Sequence, residues 1–358
     1  MNPAVPSFDD VRSEFPVLER LAYLNAGSIG PLATRTAQAM ATRLAMELEG
    51  GRGGIAQFLD LLELRGRVRA ALAAAIHVPV ENLSLTSSTT DGCNIVLAGL
   101  DLGPDDEVVT TTDEHFGLLG PLHASGARVV VVPPDPAQIL DAVTARTRLL
   151  ALSHVLWTTG QVLPVRELRA ESALPILVDG AQSVGTISID LEGLDYYTIS
   201  GQKWLCGPEG TGALVVAEPE ALRVARPSYL SQQGYEPDGV FEPRAGARRF
   251  DPNVTPNALA AGFRAALAAL PDWRHERAFE MAERCRAALA EVGADVVVPE
   301  HRATLVSWHV PVEESAAIVS RLAEANVIVR DLPGRGLGRA SVGWWTNDDD
   351  LERLVGSL

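Results

Sequence analysis

The 358 residues carry 30 Lys and Arg against 46 Asp and Glu, a formal net charge of −16, with 47% hydrophobic and 21% charged residues. That composition is globular, and its acidic balance argues against a protein that grips nucleic acid or an anionic membrane surface. Three scattered cysteines, Cys93, Cys206 and Cys285, are too few for a disulfide framework or a zinc site.

The opening "MNPAVPSFDDVRSEFPVLER" has no basic start followed by an apolar core, so no secretory signal is expected. No apolar run approaches the roughly 18 residues of a membrane span, and the expected location is cytoplasmic. Helical periodicity over residues 34–48 stops at the glycine cluster "EGGRGG", and residues 57–76 predict a second amphipathic helix. From about residue 83 short apolar strands alternate with helical segments. The strands are "LSLTS", "EVVTTT", "RVVVVP", "LLALSHV", "PILVDG", "YYTIS" and "ALVVA". Such βαβα alternation predicts an α/β fold with a mostly parallel sheet covered by helices on both faces. After "FDPNVTPN" a helical region, about 257–292, leads to "ADVVVP", "TLVSWHV", the helix "EESAAIVSRLAEAN", "VIVRD", "RASVGW" and a last helix. The expected division is a large domain over 16–255 and a smaller C-terminal α/β domain over 256–358, with an N-terminal arm at 1–15.

In an open parallel sheet, ligands bind beyond the carboxyl ends of the strands. "LSLTSSTTDGCN" ends a strand with Ser87, Ser88, Thr89 and Thr90 and then opens a helix. Hydroxyls beside free N–H groups at a helix N-terminus suit a phosphate, although Thr90 or Asp91 could simply cap that helix. "PILVDGAQSVG" places Asp179 at the end of a buried strand with Gln182 three residues on. A carboxylate there needs a positive partner. The alternatives are a helix cap or a metal ligand, and no companion His and acidic cluster supports a metal. In "YYTISGQK", Lys203 follows a third strand beside Ser200 and Gln202.

A phosphate cradle, a strand-end Asp and a strand-end Lys together suggest pyridoxal 5′-phosphate (PLP). The lysine amine joins the cofactor's aldehyde as an imine, the carboxylate keeps the ring nitrogen protonated, and the cradle grips the phosphate. A flat side chain should cover the ring: His115 in "TTDEHFG", with Phe116 the second choice.

The stretch "LVDGAQSVG … DYYTISGQKWLCGPEGTGAL" resembles the class V aminotransferase family, a fold-type I group that includes cysteine desulfurases, cysteine and cystine C–S lyases and isopenicillin N epimerase. "YLNAGSIGPL", "SSTTDGCN", "SHVLWTTGQVLPV" and "GRASVGWWTNDDDLERL" resemble further family motifs in the same order, so the likeness covers nearly the whole chain. It implies an amino-acid substrate and a homodimer with active sites at the interface. It implies that Lys203 carries the cofactor, that Asp179 pairs with the pyridine nitrogen and that Gln182 meets the ring hydroxyl. Ser88, Thr89, Thr90 and Ser200 would hold phosphate, with Thr255 of "RRFDPNVTPN" lent by a partner subunit, and His115 would stack on the ring. Arg339 would clamp a substrate carboxylate in bidentate fashion, with Asn25 and Gly27 lining the substrate side.

Three departures bear on the reaction. Desulfurases need a cysteine just before the "RxS" strand, and here that loop reads "VRDLPGRGLGRAS". Gln202 stands where a phosphate-assisting histidine is common, and glutamine can donate a hydrogen bond but carries no charge. Trp157 stands where desulfurases have a cofactor-contacting asparagine, which reshapes the substrate side. The resulting expectation is C–S lyase chemistry, a β-elimination on cysteine, cystine or an S-substituted cysteine. The alternatives are transamination, or an epimerase or decarboxylating enzyme of specialised metabolism.

Overall fold

A computed structural model of the chain describes residues 6–253 and 255–358. Seven strands form the central sheet, in the spatial order Leu83–Thr86, Gly212–Val216, Tyr196–Ser200, Ile176–Asp179, Thr147–Ser153, Glu107–Thr111 and Arg128–Val132. These are the seven apolar runs expected from the sequence. Their side chains are almost wholly buried except on the edge strand Arg128–Val132, which is why they read as continuous apolar runs and do not alternate. The pairings are parallel apart from the two that involve Gly212–Val216. Two antiparallel pairings in succession leave Leu83–Thr86 running the same way as Tyr196–Ser200. The segments after Thr86, Thr111, Ser153, Asp179 and Ser200 therefore emerge at one edge, and the site is built there.

The two early helices are Thr34–Gly50 and Ile55–Ala75, separated by Gly51, which adopts φ +76°. The long helical region breaks into Asn257–Leu267 and Arg274–Glu291 around Pro271, which supplies no N–H to carry one helix into the next. A three-stranded antiparallel sheet, Leu305–His309, Leu337–Ser341 and Arg330–Leu332, follows with the helix Ser315–Glu324. "ADVVVP" does not become a strand of that sheet. Val297 N–H reaches Ser307 O and His309 N–H reaches Asp295 O, and Pro299 then ends the pairing.

Packing crosses the boundary expected at 255/256 in both directions. Ala22–Tyr23 pairs in parallel with Val327–Ile328, and Ala22 and Leu24 share a core with Met281, Trp308 and Leu351. Phe263, on the first helix past the boundary, packs with Val178 and Ile199 beneath the central sheet. The N-terminal arm is pinned where Arg12 grips Asp350 and Phe15 makes a T-shaped contact with Trp344. Residues 1–5 of that arm lie outside the described residues.

Candidate active site

Each functional side chain at the strand edge is placed by what ends its strand. Ser88 caps the helix Thr89–Leu100, its hydroxyl accepting from the Asp91 N–H. The cap is thus Ser88 and neither Thr90 nor Asp91. The first-turn N–H groups of Thr89 and Thr90 have no acceptor within the helix, which is the ordinary condition of a helix start. Beside them begins the helix Phe116–Ala124, capped by His115, whose Nδ1 accepts from Gly117 N–H at 3.0 Å. The approach is close: a Cβ on Gly117 would lie 2.6 Å from the Thr90 hydroxyl. Ser200 donates to Gln202 Oε1 at 3.1 Å in the same region.

Lys203 is half-buried and interacts with the charges of Asp179, Arg339 and Arg330. Burial pushes its amine down to about 8, the two arginines add to the effect, and Asp179 opposes it. Asp179 is buried, which raises its carboxyl; Lys203, the Ala181 N–H at 2.9 Å and Thr198 hold it back. His115 is accessible from the surface, yet its surroundings and the charges of Lys203, Arg330 and Arg339 push it down to about 4. It is a neutral ring at pH 7, edge-to-face with Trp157 at 5.2 Å between centroids. Phe116 is 78% exposed.

The opposite wall comes from the N-terminal loop and the C-terminal sheet. Arg339 is fully buried, and its Nη1 donates to Trp157 O at 2.7 Å. Its Nε and Nη2, the Trp157 Nε1 and the Ser341 hydroxyl are buried without partners among the described residues. Arg339 Nη2 and Ser341 Oγ would each lie 2.8 Å from a Cβ placed on Gly27, so both converge on that residue. Asn25 bridges to Ser341 and accepts from Ser28. A buried guanidinium left half-satisfied is costly unless a ligand completes it, and a carboxylate matches its geometry.

Two charged groups, one on this wall and one beside Asp179, escaped sequence reasoning. Arg330 stands directly opposite Arg339 in the antiparallel ladder and donates to Ser28 Oγ at 3.1 Å. Like charges face to face on a strand pair repel, and burial together with Arg330 depresses Arg339 to about 9. Only the register reveals the pairing, because "VRD" alone reads as a strand end. Glu114 is the other. Its buried carboxylate accepts from Thr111 Oγ1 at 2.8 Å and from the Ser153 N–H and hydroxyl, and burial pushes it up to about 7.

Of the other expected residues, Gln182 lies between Gly27 and Trp204, bonded to both. Thr255 lies elsewhere in this chain, lining a small cavity with Thr86, Gly210 and Phe263 just before the helix Asn257–Leu267. His154, which directly follows the strand Thr147–Ser153 and is not among the expected residues, is occupied with the Tyr197 hydroxyl at 2.8 Å, and Tyr197 in turn with Ser183. Among the described residues no group of three or more His, Cys, Asp or Glu could hold a metal. No helix there is long and apolar enough to cross a membrane.

An amine with a lowered pKa, a buried carboxylate facing it, a neutral ring and a helix N-terminus all fit PLP, and the orphaned guanidinium fits an amino-acid carboxylate. The family model described as aminotransferase class-V matches residues 52–347. The chain belongs to the class V aminotransferase family. It is accordingly a PLP-dependent enzyme of fold type I. A class V relative, isopenicillin N epimerase of Streptomyces clavuligerus, is 28% identical, with 99% of this chain and 98% of that protein aligned. A probable cysteine desulfurase of Methanothermobacter thermautotrophicus is 32% identical over 63% of this chain and 62% of its own length. Among solved structures, a variant of C-DES with glycine covalently linked to its PLP cofactor superposes with a TM-score of 0.89 at 28% identity, covering 96% of this chain and 98% of that one. C-DES as a cystine C–S lyase in complex with its product cysteine persulfide gives a TM-score of 0.88 over the same shares of the two chains.

Proposed function

We propose that this enzyme is a C–S lyase that carries out β-elimination on cysteine, cystine or an S-substituted cysteine. The observation behind the reading is the strand pair Arg330–Leu332 and Leu337–Ser341, which sets two guanidiniums near Lys203 with no thiol in the connecting loop. The guanidiniums favour an amine that bears a carboxylate. The missing thiol disfavours transfer of sulfur to the protein. Cys93, Cys206 and Cys285 offer no substitute, being buried with thiols raised by that burial. The likeness to the cystine C–S lyase C-DES supports the same choice.

Bound PLP supplies the sink for the electrons left behind when the substrate's Cα proton departs. In this reading Lys203 takes that proton as general base, its pKa of about 8 leaving part of the amine neutral near physiological pH. Arg339, seconded by Arg330, holds the α-carboxylate. Asp179 faces the ring nitrogen, Gln182 the ring hydroxyl and His115 the ring face. Ser88, Thr89, Thr90, Ser200 and Gln202 receive the phosphate, while Asn25, Gly27 and Trp157 line the substrate side. We further assign a second copy of the chain to the exposed apolar residues Leu44, Met46, Leu48, Ile55 and Leu59. That copy would lend its own Thr255 to the phosphate.

A second reading, epimerisation, draws on the full-length likeness to isopenicillin N epimerase. Visible absorbance of the PLP-loaded enzyme, followed after adding L-cystine with a pyruvate assay alongside, separates the outcomes. A transient change, recovery of the spectrum and pyruvate release are expected. Lasting conversion to the pyridoxamine form means transamination, and loss of the Cα proton to solvent without pyruvate means epimerisation. No cofactor band, even with PLP added, overturns the whole reading.

A further inference from the structure

We propose that Trp204 is a positioning residue: its indole N–H orients the Gln182 amide, which holds the Gly27 loop against the Arg339 carboxylate site. Trp204 follows the cofactor lysine and is buried. Its Nε1 donates to Gln182 Oε1 at 2.9 Å, and Gln182 Nε2 donates to Gly27 O at 2.9 Å. The chemistry of the two ends leaves the amide a single orientation. An indole N–H can only donate and a backbone carbonyl can only accept, so a flipped amide would set donor against donor and acceptor against acceptor.

What the relay holds is the backbone of Gly27, on which Arg339 Nη2 and Ser341 Oγ converge. A second tie lies three residues further on. Gly30 N–H donates to Gln202 O at 2.7 Å, and a Cβ on Gly30 would collide with the Lys203 carbonyl. The loop 25–30 is thus fastened twice to the segment 202–204, once through backbone alone and once through Trp204 and Gln182. The spacing between the carboxylate arginine and the lysine amine follows from those two ties. Within the relay Trp204 does not touch substrate; it acts through Gln182 and Gly27. The inference rests on the assignment of Arg339 to a substrate carboxylate.

The test is a glycine titration of the PLP-loaded enzyme, followed by visible absorbance. Glycine carries the amine and carboxylate but nothing to eliminate, so the result stands whether or not L-cystine is cleaved. Trp204→Phe keeps the ring and removes the N–H, stranding a buried amide oxygen. We expect the glycine Kd to rise about fivefold to tenfold, with the melting temperature shifted by only a few degrees. In a Gln182→Met background, where the relay is already cut, Trp204→Phe should add no further loss. A glycine Kd within twofold of the parent overturns the proposal, and so does a loss that is additive in the double variant. Should Trp204→Phe fail to fold, Gln182→Met decides, read together with the position of the cofactor band because Gln182 also faces the ring hydroxyl: unchanged glycine affinity, or a loss that comes with a shifted band, overturns the relay, and a fivefold to tenfold loss with the band unmoved supports it.

Discussion

Two arginine pairs in the molecule are built in opposite ways, the first wholly buried and the second joining the buried Arg339 to a half-buried Arg330. Arg65 and Arg69, on the helix Ile55–Ala75, both reach Asp251, whose other oxygen accepts from the Ser84 hydroxyl and the Leu85 N–H. Arg69 Nε also donates to Leu83 O at 2.9 Å. That network is charge-compensated, and its work is to fasten the helix to the sheet strand Leu83–Thr86. Arg330 and Arg339 face each other across a ladder, and Arg339 keeps Nε and Nη2 unpaired in full burial. The first arrangement is complete in the folded chain, whereas the second leaves buried donors without a partner among the described residues. Burial of charge alone therefore does not single out a candidate functional arginine; on the proposed reading, absence of its counter-charge does.

The contrast can be broken most sharply from the structural side. Asp251→Ala should leave two buried guanidiniums uncompensated and cost about 3–5 kcal/mol of stability, read from denaturant unfolding of the variant against the parent. A loss below about 1 kcal/mol would mean that the network is hydrated and does not fasten the helix. Arg339→Leu should do the reverse. Removing an uncompensated charge leaves the unfolding free energy equal or higher, while kcat/KM for the amino-acid substrate falls by about 10²–10³-fold. Unchanged kcat/KM would remove Arg339 from the substrate site.

Smaller effects sharpen the same line between complete and incomplete burial. Glu114 has a folded pKa of about 7 against an ordinary 4.5. Between those values the folded state keeps a proton that the unfolded chain has released, so stability falls as pH rises from about 4.5 to 7. Glu114→Gln should flatten that fall, a change on the order of 2 kcal/mol between pH 5 and 7.5, visible in melting temperatures of both proteins at the two pH values. Parallel pH profiles would mean that Glu114 is ionised throughout. Lys203 titrates the other way. Its amine loses its proton through about pH 8, so PLP capture by the cofactor-free chain should speed up severalfold from pH 7 to 9 and then level off. Lys203→Ala should abolish the cofactor band at every pH, and a pH-independent capture rate would contradict the lowered pKa.

Much of this was legible along the chain because each signal is local. A strand's burial on both faces is written as a continuous apolar run, and the residue that ends the strand is its neighbour in sequence. All seven strands of the central sheet could thus be read directly, and so could Asp179, Lys203, His115 and the hydroxyls of residues 88–90 at their ends. Helix capping was nearly as local, although the choice of Ser88 over Thr90 and Asp91 needed the backbone geometry. The Pro271 break follows from the proline itself, while the failure of "ADVVVP" to form a strand turns on pairing partners, for which the sequence carries only the hint of Pro299.

What only the tertiary structure decided are relations between segments far apart in sequence. Arg330 acquires meaning from its register opposite Arg339, set by how the strand Leu337–Ser341 lies between two neighbours. Trp204, Gln182 and Gly27 form one hydrogen-bonded relay although the last two are 155 residues apart. Glu114 finds two of its three donors on the strand Thr147–Ser153, at the Ser153 N–H and hydroxyl. The physical reason is the same in each case. Hydrogen bonds and Coulomb forces act over a few ångströms of space, and sequence patterns encode burial and local conformation, so the residues alone determined which groups reach the edge of the sheet and the fold decided which of them meet.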